Sequence, residues 1–518
     1  MRRRHLLEAL GWLGGVGLAV LAIANAAGYR YGVSDQAFYI PSILRAADPE
    51  LYPRDAELID AQAQLMVSDE ITAWLLTRTG LPLEPLLLTG HVVALGLLFA
   101  AVWFLARRLS ASPWTVAACC LAATLRHRIT ETGANTFEGY YHPRGLAFAV
   151  GAWATVAVAG NRIGWAWALV ALSTVLHPTT GLWWAIFLFG ATIVVKRPAE
   201  RLALVAAAVA VVAIIAAATP FAAGRLLVMD GAWLRPFAAK DYVFPTAWPI
   251  GAWLANLVLP AIVTGVWRWR VRRGLAERWE AAIVAGVLLL TATFLASLPF
   301  IAMNIALAVQ LQTSRVFWLI DLFAVISMVW LLAEGTRRVD ADAGPHASTG
   351  GAPPGAQPSR AWPGRRPMVV AALLLVASTS RGLYVTRVEH PERAFVQVDL
   401  EDSDWVRVGA WLAARTPKET HVLADPDHDW KYGHSVRVTA QRDVLVEGVK
   451  DAAVSLYDRD VATRVQSRLE AIGDFTDLDA PKAVALARRF DLDVLVIDRP
   501  LPLRELHRDG RFRVYELK

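Results

Sequence analysis

The chain of 518 residues is 55% apolar and only 19% charged, with a mean hydropathy of +0.38, which excludes a string of ordinary soluble domains and points to a membrane protein. Its 52 basic and 46 acidic residues leave a formal charge of +6; the basic residues recur in short clusters between apolar runs rather than in patches, so no nucleic-acid partner is expected. The two cysteines, Cys119 and Cys120, are adjacent, which excludes a disulfide framework and a cysteine-based zinc site.

Apolar runs of about 20 residues, the length that crosses a bilayer, fall near 6–26, 84–106, 202–219, 248–267, 281–298, 315–333 and 367–385. Shorter runs at 113–125, 145–160, 164–176 and 181–195 bring the expectation to about eleven helices, the last two parted only by His177-Pro178-Thr179-Thr180-Gly181. Arg2-Arg3-Arg4 ahead of the first run sets the N-terminus in the cytoplasm, and the clusters Arg107-Arg108, Lys196-Arg197, Arg268 to Arg278 and Arg337-Arg338 then alternate to the same side of a plasma (inner) membrane. Ala24-Asn25-Ala26 is a possible signal-peptidase site, but an uncleaved first anchor is the expectation. The fold class that follows is an α-helical polytopic membrane domain over 1–334 with a long first outer loop at 27–83. Beyond it come a cytoplasmic linker over 335–366, with eleven Gly or Pro in thirty-two positions, and a last transmembrane helix at 367–385. Residues 386–518 change to short alternating elements and read as a soluble extracytoplasmic α/β domain. Helices are expected at 403–414, 461–472 and 481–490, and strands at 420–424, 436–446 (one or two), 493–498 and 512–517. No internal repeat is visible.

The first outer loop opens with Tyr29-Arg30-Tyr31-Gly32-Val33-Ser34-Asp35-Gln36, which sets Asp35 at the membrane surface. A carboxylate there can take the proton of an incoming hydroxyl while a lipid phosphate, which needs only positive charge, departs from the other side of a sugar. The competing role is to cap the helix that begins at Gln36. The second outer loop gathers Arg126, Arg128 and Glu131, then Glu138, His142 and Arg144. Arginines there suit a lipid phosphate; Glu131, Glu138 and His142 are the candidate ligands for a divalent cation, the one cofactor considered. His177 sits in a break where irregular backbone lines a cavity or forms a tight turn capped by Thr179 and Gly181. Arg315 stands at the outer mouth of a span and is the preferred phosphate partner, with Asp321 deeper in the same helix. His91 reads as a bundle histidine, and Asp425-Pro426-Asp427-His428-Asp429 as a polar loop.

With its many spans, the acid just after span one and the outer C-terminal domain, the chain resembles the GT-C superfamily of integral-membrane glycosyltransferases. Local similarity is carried by Tyr31-Gly32-x-x-Asp35-Gln36 and by Asp48-Pro49-x-Leu51-Tyr52-Pro53-x-Asp55. Protein mannosyltransferases have Asp-Glu where Asp35-Gln36 stands, and the Asp-x-Asp of oligosaccharyltransferase catalytic subunits is missing from the first loop. The resemblance implies an inverting transferase that moves a sugar from a polyprenyl-phosphate donor to an acceptor glycan, lipid or protein at the outer face. Asp35 would be the base, and Gln36, Arg126, Arg128, His142, Arg144, His177 and Arg315 the substrate-binding residues. The alternatives are a transporter or flippase of lipid-linked sugars, and a membrane-anchored receptor working through its C-terminal domain.

Overall fold

The computed structural model describes residues 2–197, 200–206, 224–335 and 365–518. Most of the run expected to span at 202–219, and most of the 335–366 linker, lie outside the described residues. Helix α1 (Arg2–Asn25) leads into the first loop, which holds strand β1 (Tyr29–Arg30) and helices α2 (Gln36–Ala47), α3 (Ala56–Ala63) and α4 (Ser68–Thr79). The bundle continues with α5 (Leu83–Leu109) and α6 (Pro113–Ala123), then the small hairpin β2 (Arg128–Ile129) and β3 (Ala134–Asn135), then α7 (Pro143–Ala159), α8 (Ile163–Leu176) and α9 (Pro178–Val195). After the short α10 (Gly231–Leu234) come α11 (Ile250–Arg272), α12 (Arg278–Ala302), α13 (Ala306–Leu311), α14 (Val316–Glu334) and α15 (Arg365–Tyr384).

Among the described residues, six helical stretches are long and apolar enough to cross a membrane: α5, α9, α11, α12, α13 with α14, and α15 with its extension to Glu389. Helices α6, α7 and α8, of 11, 17 and 14 residues, are shorter than a bilayer is thick. They pack instead against their neighbours, where aromatic rings interlock: Phe148 of α7 stacks on Trp318 at 4.1 Å and meets Trp184 at 5.6 Å. Small residues let the backbones approach. A Cβ on Gly190 of α9 would come within 2.9 Å of the Ala285 carbonyl oxygen of α12, closer than any side chain tolerates.

The break at His177 is tighter than its sequence suggests. The turn is not capped by Thr179 and Gly181. His177 itself ends α8 and caps α9, its Nδ1 accepting the Thr180 N–H at 3.3 Å, and Pro178 fills the first helical position, where no amide donor is needed.

Beyond α15, β4 (Val396–Gln397) pairs in parallel with β1, tying the first loop to the chain that follows the last long helix. The C-terminal unit contains α16 (Asp404–Arg415), β5 (His421–Leu423), α17 (His428–Tyr432), α18 (Val436–Thr439), β6 (Asp443–Val444), α19 (Gly448–Val454), α20 (Arg459–Ile472), α21 (Ala480–Phe490), β7 (Val494–Ile497), β8 (Glu505–Asp509) and β9 (Phe512–Glu516). Its sheet runs β6-β5-β7-β9-β8, with β5 parallel to β6 and β7, and β9 antiparallel to both β7 and β8. The stretch 436–446 holds one short strand and not two. Val436 to Thr439 is helical because Ser435 caps it, its hydroxyl accepting the Arg437 N–H at 3.0 Å, and only Asp443–Val444 joins the sheet.

This unit does not stand apart from the first loop. Leu51, Tyr52, Leu58 and Ile59 of the loop share one core with Leu423, Val446, Val465, Leu486 and Leu495. Burying each such side chain contributes about 1.5–3 kcal/mol. The docking also carries buried charge. Asp55, fully buried, accepts from Arg437 Nε at 2.8 Å and Arg464 at 2.8 Å, while Arg437 reaches Asp451 at 2.7 Å. Burial would raise the Asp55 carboxyl, but Arg437, Arg464 and Arg468 hold it at about 2, so the pair is ionised.

Candidate active site

Asp35 lies where the first loop, the second outer loop and the C-terminal unit meet, and the backbone around it explains why its carboxylate is available. Gly32 has φ +76° and Ser34 φ +54°, so the chain doubles back sharply. The Gln36 side chain closes this turn: its Oε1 accepts the Gly32 N–H at 2.7 Å and its Nε2 donates to the Tyr141 carbonyl at 3.2 Å. Gln36 is therefore a fully buried brace and not a substrate-facing group. The Gly32 carbonyl in turn bonds His434 Nδ1 at 3.0 Å, pinning the turn to the C-terminal unit. Asp35 precedes α2 but makes no capping hydrogen bond with its side chain; the cap role does not apply.

The carboxylate instead meets a ring of donors. His142 Nε2 lies 3.4 Å from Asp35 Oδ2, Arg144 3.9 Å from the same oxygen, and Lys450 Nζ 3.7 Å from Oδ1. His142 caps α7, its Nδ1 accepting the Arg144 N–H at 3.1 Å, which puts the ring hydrogen on Nε2, facing Asp35 and the Tyr39 hydroxyl. Burial, and then Arg144, push the His142 imidazole down to about 4 against the pull of Asp35, so it is a neutral donor. Burial alone would raise the Asp35 carboxyl; His142, Lys450 and Arg144 together hold it well below the usual carboxylate range. Asp35 is therefore an anion at any physiological pH.

Asp35 forms part of the wall of a cavity of about 650 Å³. Its lining includes Ser34, Asn135, Glu138, Tyr140 and Arg144 beside Asp35, and Asp429, Trp430 and Lys450 from the C-terminal unit. Toward the bundle it reaches the end of α1 at Asn25–Gly28 and the end of α15 at Arg381, Val385 and His390, together with Arg30, Arg126 and Arg393. Arg30 lies near enough to Arg393, and Arg126 near enough to Arg381, for each pair to repel. An anion seated between them would relieve that repulsion.

Of the residues expected at the site, Asp35, Arg126, Glu138 and Arg144 line this cavity, Glu138 clamped there by Arg144 at 2.8 Å and Arg126 at 3.3 Å. His142 contacts Asp35 from behind, and the His177 ring stands 6.2 Å from that of His142. The rest are held elsewhere. Arg128 is bonded to Asp241 at 3.0 Å, out of the cavity. Arg315 is not part of the cavity lining; its guanidinium sits over the Tyr242 ring at 5.5 Å, with Nε enclosed and without a hydrogen-bond partner. Glu131 lies by Arg128, outside the cavity lining. Among the described residues no three acidic, histidine or cysteine side chains gather as a metal site. Asp321 Oδ1 accepts from His127 Nε2 at 3.0 Å.

Sequence reasoning missed Lys450, Lys240 and Asp429. Lys240 donates to the Val449 carbonyl at 3.2 Å, bracing α19, which carries Lys450. No spacing signal could have found them, because they come from segments roughly two hundred and four hundred residues beyond Asp35. Comparison with known protein families and with curated protein sequences found no match to this chain.

Proposed function

We propose that the protein is an inverting glycosyltransferase of the GT-C type that takes a sugar from a polyprenyl-phosphate donor at the outer membrane face. The observation that carries this reading is Asp35: a carboxylate relieved of capping, held ionised, on the wall of a polar cavity that extends to the ends of α1 and α15. Such a cavity suits a substrate whose polar head must be handled in water while its chain stays in lipid. The arginines at the membrane end, Arg30, Arg126, Arg381 and Arg393, are the phosphate seat in this scheme, in place of Arg315.

In the reaction the acceptor oxygen attacks the anomeric carbon and the bond from that carbon to the phosphate oxygen breaks, its electron pair leaving with the phosphate. The acceptor proton passes to Asp35 and then to water. The strong depression of the Asp35 carboxyl makes it a weak base in the empty site. A donor phosphate that draws on Arg144 and Lys450 would raise its basicity, and attack from the face opposite the phosphate inverts the anomeric centre.

The test is a reconstituted vesicle assay with the purified full chain and polyprenyl phosphates bearing radiolabelled mannose, glucose or arabinose, with a cell-envelope glycan fraction as acceptor. The reading expects free polyprenyl phosphate to accumulate as label moves to the acceptor. Label that crosses the bilayer with the sugar–phosphate bond intact would replace it with a flippase.

A further inference from the structure

The C-terminal unit gives the cavity two side chains that the reaction above does not use. Asp429, on α17, is 9% exposed and forms part of the cavity wall, yet its Oδ1 has no hydrogen-bond partner. An enclosed carboxylate oxygen without a donor costs free energy unless something supplies one. Its neighbour Trp430 lines the same cavity and is 81% exposed, an indole presented to solvent where Trp405 and Tyr515 of the same unit are buried. The two are fixed firmly. His428 beside them is fully buried and bonds the Asp425 carbonyl and the Val436 N–H, and Asp425 caps the turn through the Asp427 N–H at 2.9 Å. Position, exposure and an unmet acceptor thus coincide on one short segment, held rigid from behind.

A flat aromatic face beside a carboxylate is complementary to a saccharide: the ring covers the apolar C–H face of a pyranose or furanose, and the carboxylate accepts from its hydroxyls. A hydroxyl donor is what Asp429 lacks. Lys450 stands within electrostatic reach of both Asp429 and Asp35, so a sugar bound by Asp429 and Trp430 would lie next to the group that takes the acceptor proton. Resting on the reading of Asp35 as base, we infer that Asp429 and Trp430 form the acceptor subsite and that the acceptor is a carbohydrate.

Binding separates this inference from the transfer reaction. Saturation-transfer NMR on the full chain in nanodiscs, with methyl α-D-mannopyranoside, methyl α-D-arabinofuranoside and methyl β-D-galactopyranoside as probes, should show transfer to the C–H protons of at least one. Asp429→Ala and Trp430→Ala should each weaken that binding about tenfold, the loss of an anchoring contact. No transfer to any of the three, or full binding in both variants with melting unchanged, overturns the subsite. A Trp430→Ala chain that keeps the sugar but binds lipid vesicles less tightly makes the indole a membrane anchor and also overturns it. Sugar binding with no donor cleavage in any assay would instead defeat the transferase reading and leave the saccharide site standing.

Discussion

Asp35 owes its role to its neighbours' backbone: Gly32 and Ser34 turn the chain, Gln36 locks the turn, and the carboxylate is left facing His142, Arg144 and Lys450. Its closeness to the end of α1 was legible in the sequence, because a few residues cannot carry a side chain far from the helix they follow. The duty of Gln36 was not, since a side chain that hydrogen-bonds backbone four residues earlier looks the same on paper as one that faces a ligand. A second acid shows the opposite electrostatics. Asp69 on α4 is 1% exposed, its Oδ2 has no partner, and burial, helped by Glu70, pushes its carboxyl up to about 7. A carboxyl raised in the folded state binds its proton more tightly there than in the unfolded chain. Its contribution is therefore fully present below about pH 4 and is lost as pH rises through about 7. Asp69→Asn should remove that slope, with a gain of roughly 1–4 kcal/mol at pH 8 and almost none at pH 4. Thermal melts of both proteins across that range check it, and equal melting shifts at the two pH values would show that Asp69 stays ionised when folded.

At the scale of elements, α19 decides whether Lys450 reaches Asp35. Arg437 ties Asp55 of the first loop to Asp451, the residue after Lys450 on that helix. Arg437→Met would leave Asp451 buried without its cation and Asp55 with Arg464 as its close cationic partner, and should destabilise the protein by about 3–5 kcal/mol, read as a lowered melting temperature with the C-terminal unit becoming sensitive to protease first. Protease resistance unchanged from wild type would mean that the shared apolar core alone holds the units together. Arg437 also explains why the sequence pattern misled at 436–446. Val436-Arg437-Val438-Thr439 alternates as a strand does. The Ser435 cap and the buried bonds of the Arg437 side chain outweigh that period, and no local signal announces a partner nearly four hundred residues away. Helices with long apolar runs, by contrast, appear where the sequence puts them, α5, α11, α12, α14 and α15 among them, because a run that long has one way to satisfy its backbone in lipid.

For the whole molecule, the first loop, the second outer loop and the C-terminal unit gather at one end of the helical bundle, joined by the shared core, the β1–β4 pairing and the cavity. They must therefore face the same compartment, and the topology expected from the basic clusters would make that compartment the outer one. Alkaline phosphatase fused after Lys518 should be active in the periplasm, and a fluorescent protein fused there should stay dark; the reverse result would turn the site to the cytoplasm. What composition could not disclose is that the C-terminal unit is part of the site, since charge and hydropathy divide the chain at residue 386 while packing joins its two parts. The most direct test of the account is the turnover of Asp35→Asn against wild type in reconstituted vesicles, with donor binding and thermal melting measured on the same preparations. Asparagine keeps the shape and loses the base, so turnover should fall by about 10²- to 10⁴-fold while binding and melting stay near wild type. Turnover kept within a few-fold of wild type would contradict the account.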